Sequence, residues 1–167
     1  MFLKNYAWTL CNKTLRGDRF YSLFIMLRKK FTLIAIDGGA ASGKSSTARA
    51  IAKRLNYLYV DTGSHYRAVT YLMITKGINP EDPEAVVRCL KEIPFETKIM
   101  DQRALVYLNS NHPKESDLRS QKVNDQVSRF AAMSGVRKLL LTYQRNIASI
   151  ARKQNFDGLM RERAKYS

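Results

Sequence analysis

Acidic residues are scarce in this chain. Its 167 residues hold 14 Asp and Glu against 29 Lys and Arg, a formal charge of +15 at pH 7. Such an excess would suit a nucleic-acid binder, so its location matters more than its size. Residues 1–30 carry seven basic residues and one acid, and residues 137–167 carry eight and two, which leaves +6 at each end and +3 in between. A charge run of this kind is usually a solvated face, and no aromatic stacking motif of the common RNA modules accompanies it. Nucleic acid is therefore not an expected partner. Long apolar runs are missing too. The longest, residues 20–27, falls far short of the roughly 20 residues that cross a bilayer, so a membrane is not an expected partner either. The two cysteines, Cys11 and Cys89, are too few and too far apart for a disulfide framework or a metal site, which points to reduced thiols and the cytoplasm. Repeats and low-complexity tracts are absent. What remains, 45% apolar and 26% charged, is the composition of one globular domain.

The chain divides into a basic extension over residues 1–30, a domain over 31–162 and a short tail over 163–167. In the extension, Leu3, Trp8, Leu10, Leu15, Phe20, Leu23 and Leu27 are interspersed with basic residues, which fits an amphipathic helix or an address segment. It lacks a clear small-residue cleavage site. Met26, just before the first strand, is an alternative start.

The informative stretch is 31–47, F-T-L-I-A-I-D-G-G-A-A-S-G-K-S-S-T: an apolar β-branched run, a loop of small residues, then a helix start. Gly38, Gly43, Lys44 and Ser45 complete the G-x-x-x-x-G-K-[ST] pattern of a phosphate-binding loop. Small residues let backbone N–H groups curl around an anion, and the helix N-terminus adds its positive end. Lys44 would reach the β- and γ-phosphates, and Ser45 offers a hydroxyl to a hydrated Mg²⁺.

Beyond the loop, Ala48, Ile51, Ala52 and Leu55 share one face of a helix over 45–55, and 57–60 is a short strand ending in Asp61-Thr62-Gly63. Strand, helix and strand in this order suggest a parallel pair and an α/β class. Ligands of such sheets sit beyond the carboxyl ends of the strands, which brings Asp61 and Thr62 to the rim of the phosphate loop. The next helix carries Arg67, able to fork onto a second phosphate, and His65, read as a surface or packing residue. A helix is expected from the turn at 79–83 to about Glu92. Residues 95–100 and 104–108 read as a hairpin, which fits a small substrate-gripping subdomain better than another layer of parallel sheet. A helix from Ser120 to about Met133 is broken by Ser134-Gly135. A long helix then carries Val136, Leu139, Leu140, Tyr143, Ile147 and Ile150 on one stripe, and 158–161 is a third strand.

Three stretches together resemble the bacterial cytidylate kinases: I-A-I-D-G-G-A-A-S-G-K-S-S at 34–46, D-T-G-S-H-Y-R-A-V-T at 61–70, and L-R-S-Q-K-V-N-D-Q-V-S-R-F-A-A-M-S-G-V-R at 118–137, followed by Gln144-Arg145. The resemblance covers roughly residues 32–162. It implies a phosphate-loop kinase fold, a parallel sheet with helices on both faces and a small inserted hairpin subdomain. It also implies transfer of the γ-phosphoryl group of ATP to CMP or dCMP with Mg²⁺. By resemblance, Gly38, Gly39, Ala40, Ala41, Ser42, Gly43, Lys44, Ser45 and Ser46 hold the ATP phosphates, with Lys44 catalytic and Ser45 on the metal. Arg67 takes the acceptor phosphate, Asp61 and Thr62 lie near the acceptor, and Ser128 and Arg137 take the cytosine edge or the acceptor phosphate. A buried Ser–Arg pair would separate cytosine from uracil through the cost of an unpaired polar group, about 1–3 kcal/mol.

Gly39 stands where the family usually has Pro. The larger departure follows Glu162, where similar kinases continue with E-G-R-D, two more strands and an arginine-bearing lid, and this chain has Arg163-Ala164-Lys165-Tyr166-Ser167. The expectation is a C-terminally truncated kinase, a monomer unless another chain completes its sheet, with impaired activity or with ATP binding alone. Ile34 and Ile36 are then expected on an exposed apolar edge.

Overall fold

The computed structural model describes residues 30–38 and 42–163. Expectations for residues 1–29, for Gly39, Ala40 and Ala41, and for 164–167, including Cys11 and the basic extension, lie outside the described residues. In chain order the elements are β1 (Thr32–Ile36), α1 (Lys44–Leu55), β2 (Tyr57–Asp61), α2 (Thr62–Thr75), α3 (Pro83–Glu92), β3 (Phe95–Met100), β4 (Arg103–Leu108), α4 (Glu115–Leu118), α5 (Gln121–Ala132), α6 (Ser134–Lys153) and β5 (Gly158–Glu162). Together the five strands form one sheet in the order β1-β5-β2-β4-β3.

The α/β class is as expected, but β1 and β2 are not neighbours. β5 lies between them, parallel to both, with Thr32 and Tyr57 opposite Gly158 and Ile36 and Asp61 opposite Glu162. Adjacent strands in sequence need not be adjacent in space, and here the last strand of the described chain takes the central place. Its burial on both faces explains the run of buried residues Gly158, Leu159 and Met160.

Strand alternation divides the apolar residues between two cores. Leu58, Val60 and Leu159 enter the larger one with Val69 and Met73 of α2, Phe130 of α5, and Leu140 and Ile147 of α6. Tyr59 and Met160 face α1, where Ala48 and Ala52 meet them. Ile34 and Ile36 lie on the edge strand β1, as expected, but they pack against this second core and are half-buried rather than exposed. The same alternation turns Leu33, on the edge strand β1, to the opposite face, and it is 57% exposed.

β3 and β4 form the expected antiparallel hairpin, with Asp101 and Gln102 at positive φ in its turn. Rather than standing apart, it extends the sheet beyond β2 through one pairing, Tyr59 opposite Arg103. It is fastened to α6 as well, because the Tyr143 hydroxyl accepts from Thr97 Oγ1 at 2.9 Å and donates to the Glu96 carbonyl at 3.2 Å. The break after α5 falls at Met133, whose backbone is extended, while Ser134 and Gly135 already belong to the first turn of α6. Gly135 is needed there for close packing, since a Cβ on it would stand 2.8 Å from Val87 of α3. Among the described residues no helix is long and apolar enough to cross a membrane.

Gly158 marks the tightest point of the sheet. A Cβ there would lie 2.3 Å from the Thr32 carbonyl oxygen and 2.9 Å from the Tyr57 ring, and neither backbone nor packed ring can give way cheaply. Gly158→Ala should therefore destabilise the chain by about 1–3 kcal/mol, measured by urea unfolding at constant m-value.

Candidate functional site

The carboxyl ends of β1, β5 and β2 stand in register, so Ile36, Glu162 and Asp61 reach one rim together. α1 begins at the same rim. Gly43 precedes it in a left-handed conformation (φ 78°), and the first helical residue is Lys44. No acid occupies the first turn of α1 and no side chain caps it. The Gly43 carbonyl accepts from Thr47 N at 3.0 Å, which starts the helix and leaves its positive end directed to the loop side.

Glu162 is the centre of this rim. Its carboxylate accepts from Ser45 Oγ at 2.9 Å through one oxygen and from the Tyr59 hydroxyl at 2.6 Å through the other, and its backbone carbonyl accepts from Thr62 Oγ1 at 2.7 Å. Lys44 Nζ stands 3.9 Å from the carboxylate, and both side chains are largely withdrawn from solvent. Burial first, and then the bond to Glu162, push the Tyr59 phenol well above its ordinary range, so it stays a neutral donor. Next to the strand end, the Arg163 guanidinium lies 3.6 Å from the Asp37 carboxylate.

Asp61 caps α2. Its Oδ1 accepts from Gly63 N at 2.9 Å and Ser64 N at 3.2 Å, and its carbonyl accepts from Ser64 Oγ at 2.7 Å. Burial and the nearby Glu162 charge raise its carboxyl above the usual range, against the pull of the Ser64 and Gly63 N–H groups and the Arg67 charge. Arg67 reaches back over Gly63, with Nη1 3.1 Å from where a Cβ on that glycine would be. The absence of a side chain at Gly63 is what lets Asp61 and Arg67 approach. Thr62 is buried at the start of α2.

Of the expected residues, the structure thus brings together Lys44, Ser45, Asp61, Thr62 and Arg67. Gly38 lies at the end of β1, with its N–H donating to Asp37 Oδ1 at 2.8 Å, and Ser42, Gly43 and Ser46 flank the start of α1. Ser128 and Arg137 are placed differently from expectation. Both are exposed, on either side of the Met133 break, and Arg137 Nε donates to the Ala131 carbonyl at 2.7 Å, so they do not form a buried pair. The helix break presents both to the outside rather than into the core. His65 is a packing residue, not a surface one. It is fully buried edge-on to the Tyr143 ring at 5.0 Å, and burial, with the Arg161 charge, lowers its pKa to about 3 and keeps it neutral.

Glu162 and Tyr59 were not singled out from the sequence as site residues. The available signal was an acid closing an apolar strand at the carboxyl rim, and a tyrosine between two core positions of β2. Ser45 and Glu162 supply a hydroxyl and a carboxylate side by side, with no larger cluster of His, Cys, Asp and Glu among the described residues. This donor set fits Mg²⁺, which keeps several waters and takes one or two protein oxygens besides phosphate oxygens.

Because folding raises the Asp61 pKa, its contribution is present at low pH and is lost as pH rises through the folded value. Asp61→Asn should therefore remove a decline in stability between pH 4 and neutrality that the parent chain shows. Urea midpoints of both chains across that range check this, and parallel profiles would refute it.

A sequence model described as cytidylate kinase matches residues 34–158. The chain is 42% identical over 115 residues to a cytidylate kinase of Geobacillus sp. (strain WCH70), covering 69% of this chain and 51% of the relative. It is 39% identical over 121 residues to one of Lysinibacillus sphaericus (strain C3-41), covering 72% and 54%. A bifunctional pantoate ligase/cytidylate kinase of Prochlorococcus marinus (strain MIT 9301) is 39% identical over 124 residues, 74% of this chain and 24% of that protein. The chain spans about half the length of the single-function relatives. With a match of this extent joined to the rim geometry, the chain belongs to the cytidylate kinase family.

Proposed function

We propose that the chain transfers the γ-phosphoryl group of ATP to CMP or dCMP, giving ADP and the nucleoside diphosphate. One observation carries this reading: the phosphate-loop helix, through Lys44 and Ser45 on the Glu162 carboxylate, and the Asp61-Thr62-Gly63 turn, through Thr62 on the Glu162 backbone carbonyl, meet at this one residue, with Arg67 on the helix that follows. Family membership supports it. Phosphoryl transfer needs two phosphates held in line and their charge neutralised, with little covalent help from the protein.

In this reading Gly38 to Ser46 wrap the ATP phosphates, and Lys44 places its ammonium on the β- and γ-oxygens. Ser45 and Glu162 would hold Mg²⁺, which when bound supplies further positive charge to those oxygens. Tyr59 and Thr62 keep Glu162 fixed. Arg67 forks onto the acceptor phosphate, and its neighbour Asp61 fixes the start of α2 from which it projects. Ser128 and Arg137, both exposed, take the cytosine edge or the acceptor phosphate. Such an enzyme serves pyrimidine nucleotide metabolism in the cytoplasm, as a monomer unless another chain completes its sheet.

The exposure of Ser128 and Arg137 favours one second reading, in which the loop binds ATP without turnover. Calorimetry with each nucleotide separately distinguishes them, because an ATP-binding module takes ATP and shows no comparable response to CMP. For the kinase, ADP formation should be faster with CMP or dCMP than with UMP or AMP, and Lys44→Ala should reduce it by about 10²-fold or more. Undiminished turnover in that variant, or equal rates with all four acceptors, would overturn the proposal.

A further inference from the structure

A cavity of about 520 Å³ opens between α1 and the tip of the β3–β4 hairpin, apart from the loop side of α1. Arg49, Lys53 and Arg103 line it, together with Asp101, Gln102 and the buried Tyr59. Arg49 and Lys53 are one helical turn apart and share a face of α1, an arrangement of like charges that costs stability. Arg103 comes from β4, at the one pairing that joins the hairpin to the sheet. Three cations thus converge from elements distant in sequence.

None of the three is ion-paired among the described residues, whose salt bridges involve other cations. Asp101 lines the same cavity without pairing to any of them. Arg103 Nε is also buried and has no hydrogen-bond partner among the described residues. A buried guanidinium N–H without an acceptor is costly, and a ligand oxygen would supply one.

We propose that this cavity binds a small phosphate-bearing ligand, a phosphomonoester or diphosphate of a polyhydroxylated molecule, at a site separate from the phosphate loop. Arg49 and Arg103 fork onto phosphate oxygens and Lys53 adds a point charge, while Asp101 and Gln102 accept from and donate to the hydroxyls of the ligand body. The volume is that of a small-molecule site, about 300–1,000 Å³. A nucleic-acid strand would need an extended basic track with exposed aromatic faces, whereas Tyr59 is 3% exposed and its hydroxyl is held by Glu162. A bound ligand would bridge α1 and the hairpin, which near this point is otherwise joined to β2 by the Tyr59–Arg103 pairing.

The test uses the full chain carrying Lys44→Ala, which weakens the phosphate loop as a competing site. Calorimetric titration with inorganic pyrophosphate should show, beside any binding at Arg67, a site weakened about tenfold or more by adding Lys53→Gln and Arg103→Gln. Unchanged binding in the triple variant would overturn the proposal. As Arg103 lies at the hairpin joint, a second measurement keeps its side chain intact: acetylation of Lys53 by a water-soluble activated ester, followed by mass spectrometry. Millimolar pyrophosphate or ribose 5-phosphate should slow labelling at Lys53 and leave the exposed Lys122 unaffected. Equal labelling of Lys53 with and without them, or equal slowing at both lysines, would overturn the proposal. Stronger protection by a single-stranded oligonucleotide than by ribose 5-phosphate would overturn the assignment to a small ligand.

Discussion

The carboxylate of Glu162 is the constraint on which the arrangement of this rim depends. Through its two oxygens and its backbone carbonyl, one residue holds the first turn of α1, the middle of β2 and the first turn of α2. A largely buried carboxylate is costly unless its lone pairs are occupied, and here a serine, a tyrosine and a lysine share that task. The same contacts fix the distance between the phosphate loop and the Asp61 turn. The candidate binding rim and a satisfied buried charge are therefore one structure.

Glu162 can play this part because β5 is central. Gly158 lets Thr32 and Tyr57 close in at one end of the strand, and the register carries Ile36, Glu162 and Asp61 to the same level at the other. Helices cover the two faces unequally. α1 packs alone on Tyr59 and Met160, whereas α2, α5 and α6 bury the opposite face in a larger core. The hairpin pairs with the sheet at Tyr59–Arg103 alone, while Ala104, Val106 and Leu108 enter the larger core and the Tyr143 hydroxyl ties it to α6, and it is beside that one pairing that the unpaired cations gather.

Much of this was legible residue by residue. The small-residue loop between an apolar run and a helical stripe located β1 and α1, and the Asp61-Thr62-Gly63 turn was assigned to the right rim. Apolar spacing located α3 and α6 closely. The misplacements have a common origin. Ile34 and Ile36 do lie on the edge strand, but strand alternation half-buries them against α1 and it is Leu33 that is exposed. Ser128 and Arg137 were expected to be buried together, but the extended backbone at Met133 leaves both outside. His65, by contrast, was read as a surface or packing residue, and the approach of Tyr143 from α6 decides for a neutral packed ring.

By itself, the sequence determined the phosphate-loop pattern, the α/β class, the hairpin and the choice of Lys44, Ser45, Asp61 and Arg67 as candidate site residues, because periodicity and turn chemistry are local properties. Only the tertiary structure decided that β5 separates β1 from β2, that Glu162 joins them at the rim, and that Arg49, Lys53 and Arg103 share a cavity. Those are contacts between residues tens of positions apart, and no local pattern encodes which distant side chain will satisfy a buried polar group.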